Sequence, residues 1–236
     1  LIVIMALGSL SGCFRGCSDS APPIDGNASP ATAAKDGQGT ETDAVVPVAE
    51  ERRRIVFFGD SLTSGYGLPD SESFPAQIQR LIVEASMGWE VINAGVAGDT
   101  SQGGLERVDW VLTTKPDLLF LCLGANDGLR GITPEVTERN LLEIVRRVKA
   151  AGVPVLVAGM RMPTNYGAER NASYEAVFER VSQQHNAPFL PFLIEGVALE
   201  PSYNQPDGIH PNREGARLVA ERVFGFIRPF LVPSEQ

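Results

Sequence analysis

Short apolar runs and longer amphipathic stretches alternate along the chain from residue 55 onward. The apolar runs are Ile55 to Phe58, Glu90 to Ala94, Leu118 to Leu123, Pro154 to Ala158 and Phe189 to Leu193. Each ends near Gly, Asn or Pro, a pattern that predicts buried strands whose chain then turns out of the sheet. Between and after them, Ser73 to Ala85, Leu105 to Thr113, Glu135 to Ala151, Glu169 to Gln184 and Glu214 to Ile227 predict helices. The clearest is Glu135 to Ala151, where Leu141, Val145 and Val148 share a face. Thr133 suits its N-cap, Pro134 its first turn and Gly152 its exit.

Strand and helix alternating in this way imply an α/β fold. The expected form is a three-layer α/β/α domain with a five-stranded parallel sheet, right-handed crossovers and the flavodoxin-like order 2-1-3-4-5. In that order the first and third strands are neighbours, and their following loops diverge to open a crevice at the carboxyl edge of the sheet. The first loop carries Gly59-Asp60-Ser61 and the third carries Gly124-Ala125-Asn126-Asp127. Both polar loops are therefore expected to face one crevice.

Upstream of residue 51 the pattern is different. Leu1 to Leu10 is almost entirely apolar, too short to span a bilayer, and followed by small residues, as at the end of a secretory signal peptide. Leu10-Ser11-Gly12-Cys13 resembles a bacterial lipobox, which would make Cys13 a lipidated N-terminus and residues 1–12 a signal remnant. An ordinary cleaved signal or a short buried helix are the competing readings. Residues 13–50 are rich in Ala, Pro, Gly, Asp and Thr and poor in large apolar side chains, which predicts a disordered tether. The folded domain is then expected over 51–236.

A net charge of -9 and a pI near 4.8 leave no clustered Lys and Arg for phosphate contacts, so no nucleic-acid partner is expected. Three cysteines cannot build a disulfide framework, and two of them, Cys13 and Cys17, precede the domain. Cys122, inside an apolar run, reads as a small buried hydrophobe.

Ser61 at the end of the first strand is a candidate nucleophile, and a serine hydroxyl needs a base that is itself held in place. The chain has two histidines. His185 falls at the predicted exit of a helix, where a capping role is ordinary. His210 sits in the turn-rich run Gln205-Pro206-Asp207-Gly208-Ile209-His210-Pro211-Asn212, with the Asp207 carboxylate just upstream. Taken alone, that run reads better as a surface Asp-Gly turn beside an unrelated histidine than as part of a site. Asp60, Asp99 and Asp127 each adjoin a candidate residue and are expected to accept backbone hydrogen bonds rather than to bind metal. No Cys/His metal spacing, P-loop, dinucleotide fingerprint or Gly-x-Ser-x-Gly elbow is present, so neither metal nor cofactor is expected.

Four blocks in order, Gly59-Asp60-Ser61-Leu62, Asn93 to Ser101, Gly124-Ala125-Asn126-Asp127 and Asp207-Gly208-Ile209-His210-Pro211, resemble the SGNH (GDSL) hydrolase family. The resemblance covers the domain from Ile55 to the last helix. It implies that Ser61 attacks an acyl carbonyl, that His210 moves the proton and that Asp207 orients His210. The oxyanion would be held by the backbone N–H groups of Ser61 and Gly98 and by the side-chain amide of Asn126. Runs such as Gly98 to Gln102, Asn126 to Gly131 and Asn165-Tyr166-Gly167 are similar to those of the Gram-negative periplasmic acyl-CoA thioesterases, arylesterases and lysophospholipases. That subgroup implies small-molecule esters and thioesters as substrates, with a loop at Met162 to Gly167 closing over the acyl groove; a monomer is expected. The lipobox departs from the subgroup and predicts an exported lipoprotein facing the periplasm or cell exterior; without lipidation the protein would be soluble in the periplasm. Two rival functions are a carbohydrate or peptidoglycan O-acetyl esterase of the same family and a non-catalytic ligand-binding lipoprotein.

Overall fold

Five parallel strands, β1 (Arg53–Gly59), β2 (Trp89–Gly95), β3 (Leu118–Cys122), β4 (Val155–Ala158) and β5 (Phe189–Leu190), form one sheet in the order β2-β1-β3-β4-β5. The computed structural model describes residues 52–162 and 167–232. Cys13, the stretch read as a tether and residues 163–166 of the expected groove loop lie outside the described residues. The strand order is the expected one. β3 is buried along its whole length, as a central parallel strand covered on both faces must be.

The helices are α1 (Ser61–Ser64), α2 (Phe74–Glu84), α3 (Ser101–Leu112), α4 (Ala125–Leu129), α5 (Pro134–Ala150), α6 (Ala168–His185) and α7 (Arg213–Leu231), with a 3-10 turn at Asp70–Glu72. α2 packs against α7, while α3, α5 and α6 pack in succession. Phe57 of β1 joins the layers: its ring meets Phe74 edge-on at 5.6 Å and Phe120 of β3 at 5.3 Å.

Several elements differ from the sequence expectation: α1 and α4 are additional to the expected helices, β5 covers only Phe189–Leu190 of the expected Phe189 to Leu193, and three helices start, cap or end differently. α3 begins at Ser101, not Leu105, because Thr100 caps it by accepting from the Gly103 N–H at 3.3 Å. Gly103 and Gly104, which look like helix breakers, lie inside it; a Cβ on Gly104 would run into the Leu123 side chain, so close packing requires the glycine. Thr133 occupies the N-cap of α5 without a side-chain capping bond, leaving Pro134 as the start signal that acts there. α7 continues through Pro229 to Leu231, whose carbonyl accepts from Trp89 Nε1 at 2.7 Å and ties the helix end to β2.

Candidate active site

The register of the sheet brings three loops out at one level. Gly59 pairs with Gly95 on one side and with Cys122 on the other, so the chain segments leading to Ser61, Gly98 and Asn126 depart side by side. Gly59 has no room for a Cβ, which would collide with Thr63 and lie 2.7 Å from Cys122 Sγ. The Thr63 hydroxyl and the Cys122 thiol are hydrogen-bonded at 2.9 Å beneath it. Cys122 is thus buried as expected, but as a hydrogen-bonded group under the turn that leads to Ser61 rather than a simple hydrophobe. Burial pushes its thiol pKa well up, which keeps it unreactive.

Asp60 caps α1 by accepting from the Leu62 N–H at 3.0 Å, and Ser61 is the first residue of that helix. The Ser61 hydroxyl stands 2.9 Å from His210 Nε2, and His210 Nδ1 stands 2.7 Å from Asp207 Oδ2. The other Asp207 oxygen, Oδ1, accepts from the backbone N–H groups of Ile209 and His210, each at 3.0 Å. Burial raises the Asp207 pKa, but these hydrogen bonds and the adjacent imidazole outweigh it, and the carboxyl ends below its ordinary value. The Asp-Gly turn read in the sequence is present, with Gly208 at φ 75°, and it is also what folds Asp207 back onto His210. His185 ends α6, away from this cluster; its carbonyl accepts from Lys149 Nζ at 2.7 Å.

Gly98 and Asn126 reach the same place. Gly98 has φ 78°, a conformation that disfavours any residue with a Cβ, and its carbonyl accepts from Arg130 Nη2 at 2.6 Å. Asn126 Nδ2 donates to the Asp99 carbonyl at 2.9 Å, and Asp60 Oδ2 lies 3.4 Å from the same nitrogen. Asp127 is fully buried: its Oδ2 accepts from the Ser101 N–H at 2.8 Å, and its Oδ1 accepts from the Ser101 and Thr137 hydroxyls. Asp60 and Asp127 therefore accept backbone hydrogen bonds, as expected. The Asp99 carboxylate does not; it accepts from Arg107 Nε at 2.7 Å in a largely buried ion pair. Asp60 is pushed up to about 7, chiefly by burial and further by the negative charges of Asp99 and Asp127, against the Leu62 N–H that lowers it.

These groups open onto a cavity of about 760 Å³. Ser61, Gly98, Asn126 and His210 contribute to one part of its lining, and Leu129, Met160, Met162, Phe192, Ile194 and Leu199 supply apolar walls. Arg161 also lines it, paired with Glu175 at 3.7 Å and lying 5.1 Å above the Phe192 ring. Among the described residues no group of three acidic, His or Cys side chains is placed to hold a metal ion. With Nδ1–H donating to Asp207, His210 Nε2 is free to accept the Ser61 proton, which is the arrangement that activates a serine hydroxyl.

Two residues at the site escaped sequence reading. The Tyr66 ring lies against His210, and Gln205 Nε2 donates to the Tyr66 carbonyl at 2.6 Å and the Pro211 carbonyl at 3.0 Å. Gln205 thereby ties the loop of the histidine to the loop after the serine. Its only sequence signal is its position two residues ahead of the Asp207 to Pro211 block.

Residues 57–218 match the model of the GDSL-like lipase/acylhydrolase family. The chain is 36% identical over 178 residues to the thioesterase 1/protease 1/lysophospholipase L1 of Escherichia coli strain K12, covering 75% of this chain and 84% of that one. It is 34% identical over 178 residues to the esterase TesA of Pseudomonas aeruginosa, covering 75% and 89%. Among solved structures, a crystal structure of TesA superimposes with a TM-score of 0.74 at 34% identity, over 76% of this chain and all of that one. AlinE4, described as an SGNH-hydrolase family esterase, superimposes with a TM-score of 0.65 at 35% identity, over 78% and 98%. With the order β2-β1-β3-β4-β5 and a Gly-Asp-Ser corner at the end of β1, the chain belongs to the GDSL-like lipase/acylhydrolase family, the SGNH hydrolases, enzymes that cleave ester bonds.

Proposed function

We propose that this chain hydrolyses carboxylic esters and acyl thioesters with Ser61 as nucleophile, His210 as general base and acid, and Asp207 as the residue that orients the imidazole. The carrying observation is the relay from Ser61 Oγ to His210 Nε2 at 2.9 Å and from His210 Nδ1 to Asp207 Oδ2 at 2.7 Å, opening onto a cavity with apolar walls. Ser61 Oγ attacks the acyl carbonyl as His210 Nε2 takes its proton. The tetrahedral oxyanion is held by the Ser61 and Gly98 backbone N–H groups and by Asn126 Nδ2. The Asn126 amide spends one N–H on the Asp99 carbonyl and has only the longer 3.4 Å contact to Asp60 for the other, which leaves that proton for the substrate. Collapse of the intermediate expels the alcohol or thiol, protonated by His210, and leaves an acyl group on Ser61; water, activated by the same histidine, releases the acid.

The apolar lining supports an acyl chain longer than acetyl. Hydrolysis of p-nitrophenyl acetate, octanoate and palmitate tests this, with octanoate expected to give the highest kcat/KM. Activity confined to the acetate would replace this reading with an O-acetyl esterase. Labelling by a fluorophosphonate probe is expected at Ser61 and absent from Ser61→Ala; a wild-type chain that stays unlabelled would instead support a non-catalytic binding protein. Cys13 of the Leu10-Ser11-Gly12-Cys13 run is proposed as a lipidated N-terminus holding the enzyme on a membrane surface. Mass spectrometry of detergent-extracted protein checks that, and an unmodified Cys13 thiol rules it out. No helix among the described residues is long and apolar enough to cross a membrane.

A further inference from the structure

Arg107 of α3 is mostly buried, with 18% of its side chain exposed, and each guanidinium nitrogen has a hydrogen-bond partner. Nε donates to Asp99 Oδ2 at 2.7 Å, Nη1 to the Ala94 carbonyl at 2.9 Å and Nη2 to the Gly59 carbonyl at 2.9 Å. Its flat face lies 4.4 Å from the centre of the Phe58 ring. The acceptors come from the end of β1, the end of β2 and the loop that follows β2.

Those three places lead to the oxyanion donors. Gly59 stands just before Asp60 and Ser61 on the chain. Asp99 follows Gly98, and the Asp99 carbonyl is the group that receives Asn126 Nδ2. The Val96 N–H closes the same loop onto the Gly59 carbonyl at 3.0 Å, and the Asp99 N–H donates to the Val96 carbonyl at 3.1 Å. One guanidinium therefore links the backbone ahead of Ser61, the loop of Gly98 and, through Asp99, the amide of Asn126.

We propose that Arg107, acting through Asp99, is a positioning residue that fixes the Ser61 and Gly98 N–H groups and the Asn126 amide relative to one another. The proposal rests on the oxyanion assignment made above. Donors work in such a site only when they stand about 2.7–3.1 Å from where the oxyanion will form, and these three come from separate loops. A rigid planar fork can hold several acceptors at fixed spacing, which a lysine ammonium cannot. The pairing also offsets the Asp99 carboxylate, whose negative charge would otherwise oppose the developing oxyanion.

The test uses the full chain with Arg107→Met, Arg107→Lys, Asp99→Asn and Asn126→Ala, each checked for folding by thermal melt. Kinetics are read on p-nitrophenyl octanoate, and inhibition by octylboronic acid, which forms a tetrahedral adduct, is compared with inhibition by octanol, which does not. Arg107→Met is expected to lower kcat by roughly 100-fold with KM changed less than about 3-fold, and to weaken the boronic acid but not octanol. Arg107→Lys and Asp99→Asn are expected to fall in between. In an Asn126→Ala background the loss from Arg107→Met should shrink, since part of what Arg107 positions is then gone. A wild-type kcat in folded Arg107→Met, a parallel loss of octanol binding, or fully multiplicative losses in the double variant would each overturn the proposal. If Arg107→Met does not fold, wild-type kcat in both Arg107→Lys and Asp99→Asn does the same. Wild-type kcat in Asn126→Ala would remove the oxyanion assignment itself, whereas a slow Asn126→Ala beside an unimpaired Arg107→Met removes only the role of Arg107.

Discussion

The Tyr66 ring rests against the His210 imidazole, with centroids 4.8 Å apart and planes inclined at 42°. Tyr66 is 53% exposed, so the contact stabilises little of the core; what it constrains is the histidine. An aromatic pair of this kind is worth about 0.5–1.5 kcal/mol, so Tyr66→Ala is expected to lower kcat by up to roughly ten-fold. Tyr66→Phe keeps the ring and should retain most activity. Steady-state kinetics on one chromogenic ester check both; equal losses in the two variants would assign the effect to the hydroxyl.

In the proposed mechanism, Asn126→Ala removes a donor that is useful only once the carbonyl oxygen carries charge. The loss is expected at about 2.7–4 kcal/mol of transition-state stabilisation, appearing in kcat with KM nearly constant. Asn126→Asp is expected to be at least as slow, because a carboxylate would face the oxyanion. A KM that rises while kcat holds would mean that Asn126 binds ground-state substrate instead.

Asp60 sets a pH dependence of stability. Its folded pKa of about 7 lies above the ordinary carboxylate value, so the fold holds this proton more tightly than the unfolded chain does. The associated stability is complete below the ordinary value and is lost as pH rises toward about 7. Asp207, with its lowered pKa, has the opposite slope, its contribution fading in acid. Asp60→Asn cannot ionise, so its stability relative to wild type should rise between pH 4 and 7 and then level, by a total on the order of a few kcal/mol. Urea unfolding of both proteins at pH 5 and pH 8 measures it, and a pH-independent difference would contradict the assignment.

Gly95→Ala tests the packing of α1, which begins at Ser61, on β2. A Cβ at Gly95 would meet backbone atoms of Thr63 and Ser64, with the Thr63 carbonyl carbon 2.7 Å away. Backbone cannot swing aside as a long side chain can, so a loss of about 1–3 kcal/mol is expected. Activity should fall with it, because the displaced segment carries Ser61. Gly88→Ala, where a Cβ meets nothing within 4 Å, is the matched control.

The sequence revealed most where a signal repeats. Alternation of apolar runs and amphipathic stretches was enough for the α/β class, and right-handed crossovers between parallel strands left few topologies, among them the observed order. The pairing of Ser61, His210 and Asp207 was legible through motif order, although the Asp207-Gly208 turn alone was ambiguous. α1 and α4 were not legible, since helices of four or five residues carry no helical period. Arg107 was hidden for another reason: in Gly104-Leu105-Glu106-Arg107 it resembles any charged residue on a solvated helix face. Only the sheet edge beside it, with carbonyls from two strands pointing at one place, reveals what it holds. Asp99 was misread by the same route, as its partner lies on the following helix rather than in its own loop.

The Ser61 and His210 that meet at 2.9 Å are 149 positions apart in the chain. A ribosome therefore completes the Gly-Asp-Ser corner long before it reaches His210. Until the chain extends past His210, Ser61 lacks its hydrogen-bond partner at Nε2. On the roles proposed above, a chain that stops short of His210 carries no base for Ser61. A product ending before Asp207 would keep the Gly-Asp-Ser corner, Gly98 and Asn126, yet lack the histidine proposed here as the base.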